Sequence, residues 1–231
     1  MIRTGIALLI AALALSWPDT VPDVGLSAQM IPITLADNGG RALRVSRHEV
    51  TVASWRQCFA DGGCSHMPVS PSVSDQLPVT GVNWLDVNEY LNWANAREGG
   101  GLRLPTLDEW RVIARSLAHE KPPPLFTDPR LAWAANYGQE TAQSGPPRVG
   151  GSFATTPEGI SDLDGNVWEW TSSCAKPRFG GNLCPAYIAA GEHEAAVSVF
   201  VRDPASGGCA TGTPPTHLGF RLVADAPKPA I

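Results

Sequence analysis

Sustained helical periodicity in this chain is confined to its first half, and that asymmetry limits the folds open to it. "VASWRQCFA" sets Val52, Trp55 and Phe59 on one helical face. "TGVNWLDVNEYLNWANAREGG" is the clearest helix: Asn83 can cap it, Val87, Tyr90, Leu91 and Ala94 form its apolar face, and Gly99 to Gly101 end it. In "RLPTLDEWRVIARSL", Thr106 followed three residues later by Glu109 has the pattern of a capping box, and Trp110, Ile113 and Ala114 face inward. The prolines of "EKPPPLFTDPR" stop that helix. From Ala132 onward only short strands and long loops are legible, ending in "LGFRLVAD", which reads as a closing strand. Upstream, "IPITLADNGGRALRVSRHEVT" alternates apolar and polar residues around Asn-Gly-Gly, the signature of a two-stranded hairpin. Two main helices followed by irregular β structure predict an α+β domain.

At 231 residues and 43% hydrophobic, the chain is long enough to bury a real core. Only 17% of residues are charged, while 23 Gly and 21 Pro imply many loops, so neither a helical bundle nor a disordered chain fits. The net charge of −5 comes without a basic cluster, which argues against nucleic acid and against an anionic membrane surface as partners.

The N-terminus, "MIRTGIALLIAALALSWPDT", places Arg3 before an apolar run from Gly5 to about Leu15, with Ala12 and Ala14 in an A-x-A arrangement. Residues 1–16 therefore read as a secretory signal peptide, the alternative being an uncleaved anchor. A Pro- and Asp-bearing linker (17–38) and a folded domain (39–226) follow. The mature protein is expected in the periplasm or outside the cell, free of the membrane after cleavage. Export gives the five cysteines a meaning, because disulfides persist there. Cys58 with Cys64, and Cys174 with Cys184, each flank a short Gly-containing loop. Two local bridges are the simplest reading, although four cysteines allow three pairings. Cys209 is left over as the candidate reactive thiol.

"ISDLDGNVWEWTSSC" carries the richest chemistry. Asp162, Asp164 and Glu169 are hard oxygen donors suited to a cation, but Asp-Gly is also a strong turn signal. "VWEWT" reads as a short strand after that turn. Both the metal loop and the plain hairpin turn are open on these residues alone.

The phrases "HEVTVASW", "LPVTGVNWLDVNEYLNWAN", "RLPTLDEW", "GISDLDGNVWEW" and "LGFRLV", in this order, resemble the formylglycine-generating enzyme, or sulfatase-modifying factor, family over about residues 40 to 225. The resemblance implies a variant of the C-type-lectin-like fold, with a twisted antiparallel sheet, two main helices and much irregular structure. Trp84, Trp93, Trp110, Trp168 and Trp170 read as core residues within it. Arg103 and Glu109 can be a structural ion pair as readily as a binding pair. The resemblance also implies structural calcium at Asp162 and Glu169 through their side chains, and at Gly165 and Val167 through their carbonyls. A second calcium site would begin at Asn136 and the Tyr137 carbonyl, but its downstream Asp is not evident.

Formylglycine-generating enzymes hold copper on two cysteines five positions apart, shortly before the "GFR" strand, and oxidise a substrate cysteine to formylglycine. Here that region, "EHEAAVSVFVRDPASGGCATGTPPTHLGFRLV", holds Cys209 alone. His48, His66, His119, His193 and His217 show no helical i, i+4 ligand spacing. The expected function is a non-catalytic or diverged binding or maturation factor with a protein or peptide partner, a pseudoenzyme of the family. The alternative is a metal-dependent oxidase of the same family, with copper or iron, acting on a peptide or a peptide-derived metabolite; authentic conversion of cysteine to formylglycine ranks last.

Overall fold

The computed structural model describes residues 29–35, 40–117, 145–175, 184–191, 194–203 and 217–226. The signal-peptide reading of 1–16, and the readings on His119, Asn136, Tyr137, His193 and Cys209, lie outside the described residues.

The expected hairpin forms. Met30–Leu35 (β1) and Arg41–Ser46 (β2) pair antiparallel, from Met30 opposite Ser46 to Leu35 opposite Arg41. β1 thus draws part of the stretch expected to be linker (17–38) into the sheet. The alternation of Ile31, Ile33 and Leu35 suits a strand half buried against a core, and this outweighs the Pro-containing composition of the stretch.

Three helices follow where local signals place them. Helix α1 (Val52–Ala60) starts at Thr51, whose hydroxyl accepts from the Ser54 N–H. Its buried face carries Val52, Trp55 and Cys58, while Phe59, expected to face inward, is 42% exposed. The Cys58–Cys64 disulfide explains the difference, since it turns position 58 rather than 59 toward the core. Helix α2 (Trp84–Glu98) has a reciprocal capping box: the Asn83 side chain accepts from the Asp86 N–H, and the Asp86 carboxylate accepts from the Asn83 N–H, both at 2.9 Å. It ends at Gly99 in the left-handed region (φ 80°). Helix α3 (Leu107–Ala114) carries the second capping box, Thr106 with Glu109. None of the described helices is long and apolar enough to cross a membrane.

The remaining strands are β3 (Leu102–Arg103), β4 (Trp168–Cys174), β5 (Ala186–Ala190), β6 (Glu194–Ser198), β7 (Leu218–Gly219) and β8 (Val223–Asp225). They form two four-stranded sheets, ordered β1-β2-β8-β3 and β6-β5-β4-β7. The expected single closing strand "LGFRLVAD" is in fact two. β7 runs parallel to β4 in the second sheet, and β8 runs antiparallel between β2 and β3 in the first. The β4–β7 pairing departs from the all-antiparallel expectation. Gly219 permits the crossing, because a Cβ there would lie 2.9 Å from the Val79 carbonyl oxygen.

Two apolar clusters join the helices to the sheets. Trp55 and Tyr90, stacked at 5.6 Å, meet the edge of Phe220 beneath Trp170 and Val82 in the larger core. Trp110 and Ile113 of α3 pack with Leu35, Leu43, Val45 and Val223 in the smaller one. Of the five tryptophans expected inside, Trp110 and Trp170 are buried, and Trp84, Trp93 and Trp168 are partly so. Arg103 and Glu109 form a two-armed ion pair of 2.7 and 2.8 Å, joined by Arg41 and Asp225 at the edge of the first sheet.

Candidate functional site

Between the two sheets lies a polar centre built from segments far apart in sequence. Arg221, fully buried, projects from the crossing between β7 and β8. Its Nε donates to both Glu169 oxygens at 2.8 and 2.7 Å, and its Nη2 donates to Oε1 at 2.6 Å and to the Ser161 carbonyl at 3.0 Å. Its Nη1 reaches the Ser46 carbonyl at 3.3 Å. From α3, Trp110 Nε1 donates to Glu169 Oε2 at 2.8 Å. Burial alone would make Arg221 easier to deprotonate, but the Glu169 carboxylate bonded to it, with Asp162 nearby, more than compensates and holds it charged.

Glu49 is a third carboxyl in this centre, and Asn166 Nδ2 donates to its Oε1 at 3.1 Å. Burial pushes its pKa up to about 8; Arg221 pulls it down, while Glu169 and Asp162 push it further up. At neutral pH Glu49 is therefore held mainly protonated. A strongly perturbed carboxyl in the interior is the usual mark of either function or a structural charge balance.

The loop ahead of β4 wraps around Asp162, whose oxygens accept from the Gly151 N–H at 2.6 Å and the Phe153 N–H at 2.9 Å. His48 Nδ1 lies 3.3 Å from Oδ2. Burial pushes Asp162 upward, but the bonds from His48, Gly151 and Phe153 outweigh it and keep the carboxyl below the ordinary Asp range. Asp162 and Asn166 both take left-handed backbone, φ 69°. Asp and Asn tolerate that region better than other non-glycine residues, which accounts for these residue types here. Gly165 is needed for space: a Cβ would lie 2.4 Å from Phe153 Cδ1. Asp164 Oδ1 accepts from the Ala154 N–H at 3.1 Å.

The four residues expected to hold calcium, Asp162, Gly165, Val167 and Glu169, therefore lie in one loop and the start of one strand. The two carboxylates of that set are already engaged as acceptors. Both Glu169 oxygens already face a guanidinium and an indole N–H, and both Asp162 oxygens face backbone N–H groups. A divalent cation at Glu169 would sit against the buried positive charge of Arg221, at a large electrostatic cost. Among the described residues no three His, Cys, Asp or Glu side chains converge to hold a metal.

Both expected local disulfides are present, Cys58–Cys64 and Cys174–Cys184. Beyond β6, where the family's catalytic segment would follow, Arg202 binds the buried Asp86 in two-armed fashion (2.7 and 2.8 Å), and Asn83 Nδ2 reaches the Phe200 carbonyl at 3.4 Å. Burial raises the Asp86 pKa, yet Arg202 and the Asn83 N–H bring it below the ordinary value. Sequence reasoning assigned no role to Glu49, Asp86, Asn166, Arg202 or Arg221. The only signal for Arg221 and Glu49 was their place inside the quoted phrases "LGFRLV" and "HEVTVASW".

Comparison with known proteins agrees with this architecture. Residues 36–226 match the family model of the sulfatase-modifying factor enzyme 1-like domain. The chain is 28% identical over 195 residues to the Mus musculus protein named inactive C-alpha-formylglycine-generating enzyme 2, covering 78% of this chain and 58% of that protein, so it spans little more than half of that relative. It is 28% identical over 216 residues to the formylglycine-generating enzyme of Mycobacterium tuberculosis, covering 76% of this chain and 69% of that one. Among solved structures, PvdO from Pseudomonas aeruginosa aligns with a TM-score of 0.55 at 16% identity, over 81% of this chain and 82% of its own. Treponema denticola variable protein 1 aligns with a TM-score of 0.53 at 16% identity, over 85% and 95% respectively. Both share the fold, an α+β variant of the C-type-lectin-like type. The chain belongs to the sulfatase-modifying factor, or formylglycine-generating enzyme, family, as a diverged member.

Proposed function

We propose that this protein is an exported family member that does not convert cysteine to formylglycine, and that it acts by binding a protein or peptide partner. The observation that carries this reading is the cysteine accounting. Of five cysteines in the chain, four are taken up in two disulfides, which leaves Cys209 as the single thiol. Copper chemistry of the kind the family resemblance implies needs two thiolates at one site, and one thiol cannot supply them. The name of the mouse relative, an inactive enzyme, is in keeping with such divergence. The two disulfides support export, because such bridges persist in oxidising compartments.

The test is mass spectrometry of a Cys-x-Pro-x-Arg peptide after aerobic incubation with the protein, with and without added copper. The peptide is expected to be recovered unmodified. Thiol-to-aldehyde conversion that disappears in Cys209→Ser would overturn the proposal.

A further inference from the structure

The two disulfides occupy opposite environments. Cys58 and Cys64 are 0% and 2% exposed and belong to the larger core beside Trp55 and Tyr90. Cys174, by contrast, is exposed, and Cys184 is half-buried. Cys174 is the last residue of β4 and stands opposite Tyr187 of β5. The Tyr187 ring stacks on Trp84, the first residue of α2, at 3.9 Å and 7°. Trp84 Nε1 reaches the Thr171 carbonyl at 3.4 Å, and the Thr171 hydroxyl donates to the Ile188 carbonyl at 2.7 Å. The bridge thus closes the open end of the β4–β5 ladder, one residue pair from an aromatic contact that ties this ladder to α2.

We propose that Cys174–Cys184 is a thiol-exchange site, opened by dithiol reductants while Cys58–Cys64 stays closed, and that opening it loosens the Tyr187–Trp84 stack. Thiolate attack needs access to a sulfur, and Cys174 is exposed where the core pair is buried. One thiolate of the reductant attacks Cys174 Sγ, forming a mixed disulfide and releasing Cys184 as a thiolate that takes up a proton. The second thiol of the reductant then displaces Cys174, which is protonated in turn. The reductant leaves as its own disulfide, having passed two electrons to the protein. Once the bridge is open, the Cys174–Tyr187 pairing and the adjoining bond from the Ala175 N–H to the Ala186 carbonyl at 2.9 Å lose their covalent tie. Tyr187 then turns away from Trp84 more readily.

Dithiothreitol titration of the full-length oxidised protein, with N-ethylmaleimide trapping and peptide mapping, tests this. Cys174 and Cys184 are expected to be alkylated more than ~10-fold faster than Cys58 and Cys64, because thiolate access governs exchange. Tryptophan fluorescence should change in step while the far-UV circular dichroism of the helices holds. Cys174→Ser/Cys184→Ser should show the reduced-state fluorescence without reductant, and Trp84→Phe should diminish the change. Simultaneous opening of both bridges, earlier opening of Cys58–Cys64, or loss of helix signal with the first bridge would overturn the proposal. So would an unaltered spectrum in the double serine variant.

Discussion

Arg221 and Glu169 hold each other in the interior, with three guanidinium-to-carboxylate contacts of 2.6 to 2.8 Å between residues that are 0% and 1% exposed. Neither charge has water to fall back on. Removing one partner strands the other, whereas removing both removes the burden together. Arg221→Met or Glu169→Leu alone should cost about 3–5 kcal/mol, and the Glu169→Leu/Arg221→Met pair markedly less than the sum of the two. Urea unfolding of the four proteins measures this; additive losses would show that the pair is not coupled.

Glu49 gives the centre a pH dependence. Its pKa, about 8 in the fold, stands above the ordinary value of 4.5. Folding therefore takes up a proton between these values. The contribution is fully present below about 4.5 and is lost as pH rises through about 8. Glu49→Gln, which keeps the shape without the charge, should flatten the fall in stability across that window. Melting temperature against pH for both proteins checks it, and parallel curves would refute the assignment.

Asp162 shifts in the opposite direction. Its pKa is lowered in the fold, so its contribution is present above the unfolded value and is lost as pH falls through the folded one. Asp162→Asn leaves poorer acceptors for the Gly151 and Phe153 N–H groups and should cost about 1–3 kcal/mol at neutral pH, with a smaller penalty in acid. Chemical denaturation at two pH values separates the two cases.

Calcium is expected to leave this loop's stability unchanged, because Glu169 and Asp162 already have donors. The melting temperature should be the same in EDTA and in excess calcium. A calcium-dependent rise that vanishes in Glu169→Ala would mean that Arg221 yields its place to the ion.

The buried bridge is structural. Cys58→Ser/Cys64→Ser should lower stability by about 2–3 kcal/mol, the scale for a short closed loop. Calorimetry of the oxidised protein and the variant tests it.

What was legible in the sequence was what is local. Asn83 with Asp86, and Thr106 with Glu109, lie three residues apart, so the caps follow from spacing. Cys58–Cys64 and Cys174–Cys184 bridge sequence separations of 6 and 10, and proximity along the chain made these pairings the simplest ones. Helical spacing could not choose between Cys58 and Phe59 for the inner face, because both lie within one turn of Trp55. The polar centre left no such local trace. Glu169 and Arg221 are 52 positions apart, Asp86 and Arg202 are 116 apart, and Glu49 and Asn166 are 117 apart. An oxygen-rich loop looks the same on paper whether its carboxylates face a cation or N–H donors, and only the fold distinguishes the two.

The division of "LGFRLVAD" between both sheets has a consequence for biosynthesis. β8 pairs with β2 and β3, whose residues leave the ribosome long before it, and Arg221 is the counter-charge for Glu169. Until translation has passed Asp225, β2 and β3 have no strand between them and Glu169 has no neutralising partner. The nascent chain thus reaches a late stage carrying two unfinished half-cores, exposed to aggregation and to proteases. Both half-cores close only with β8 and Arg221 in place, as a keystone closes an arch.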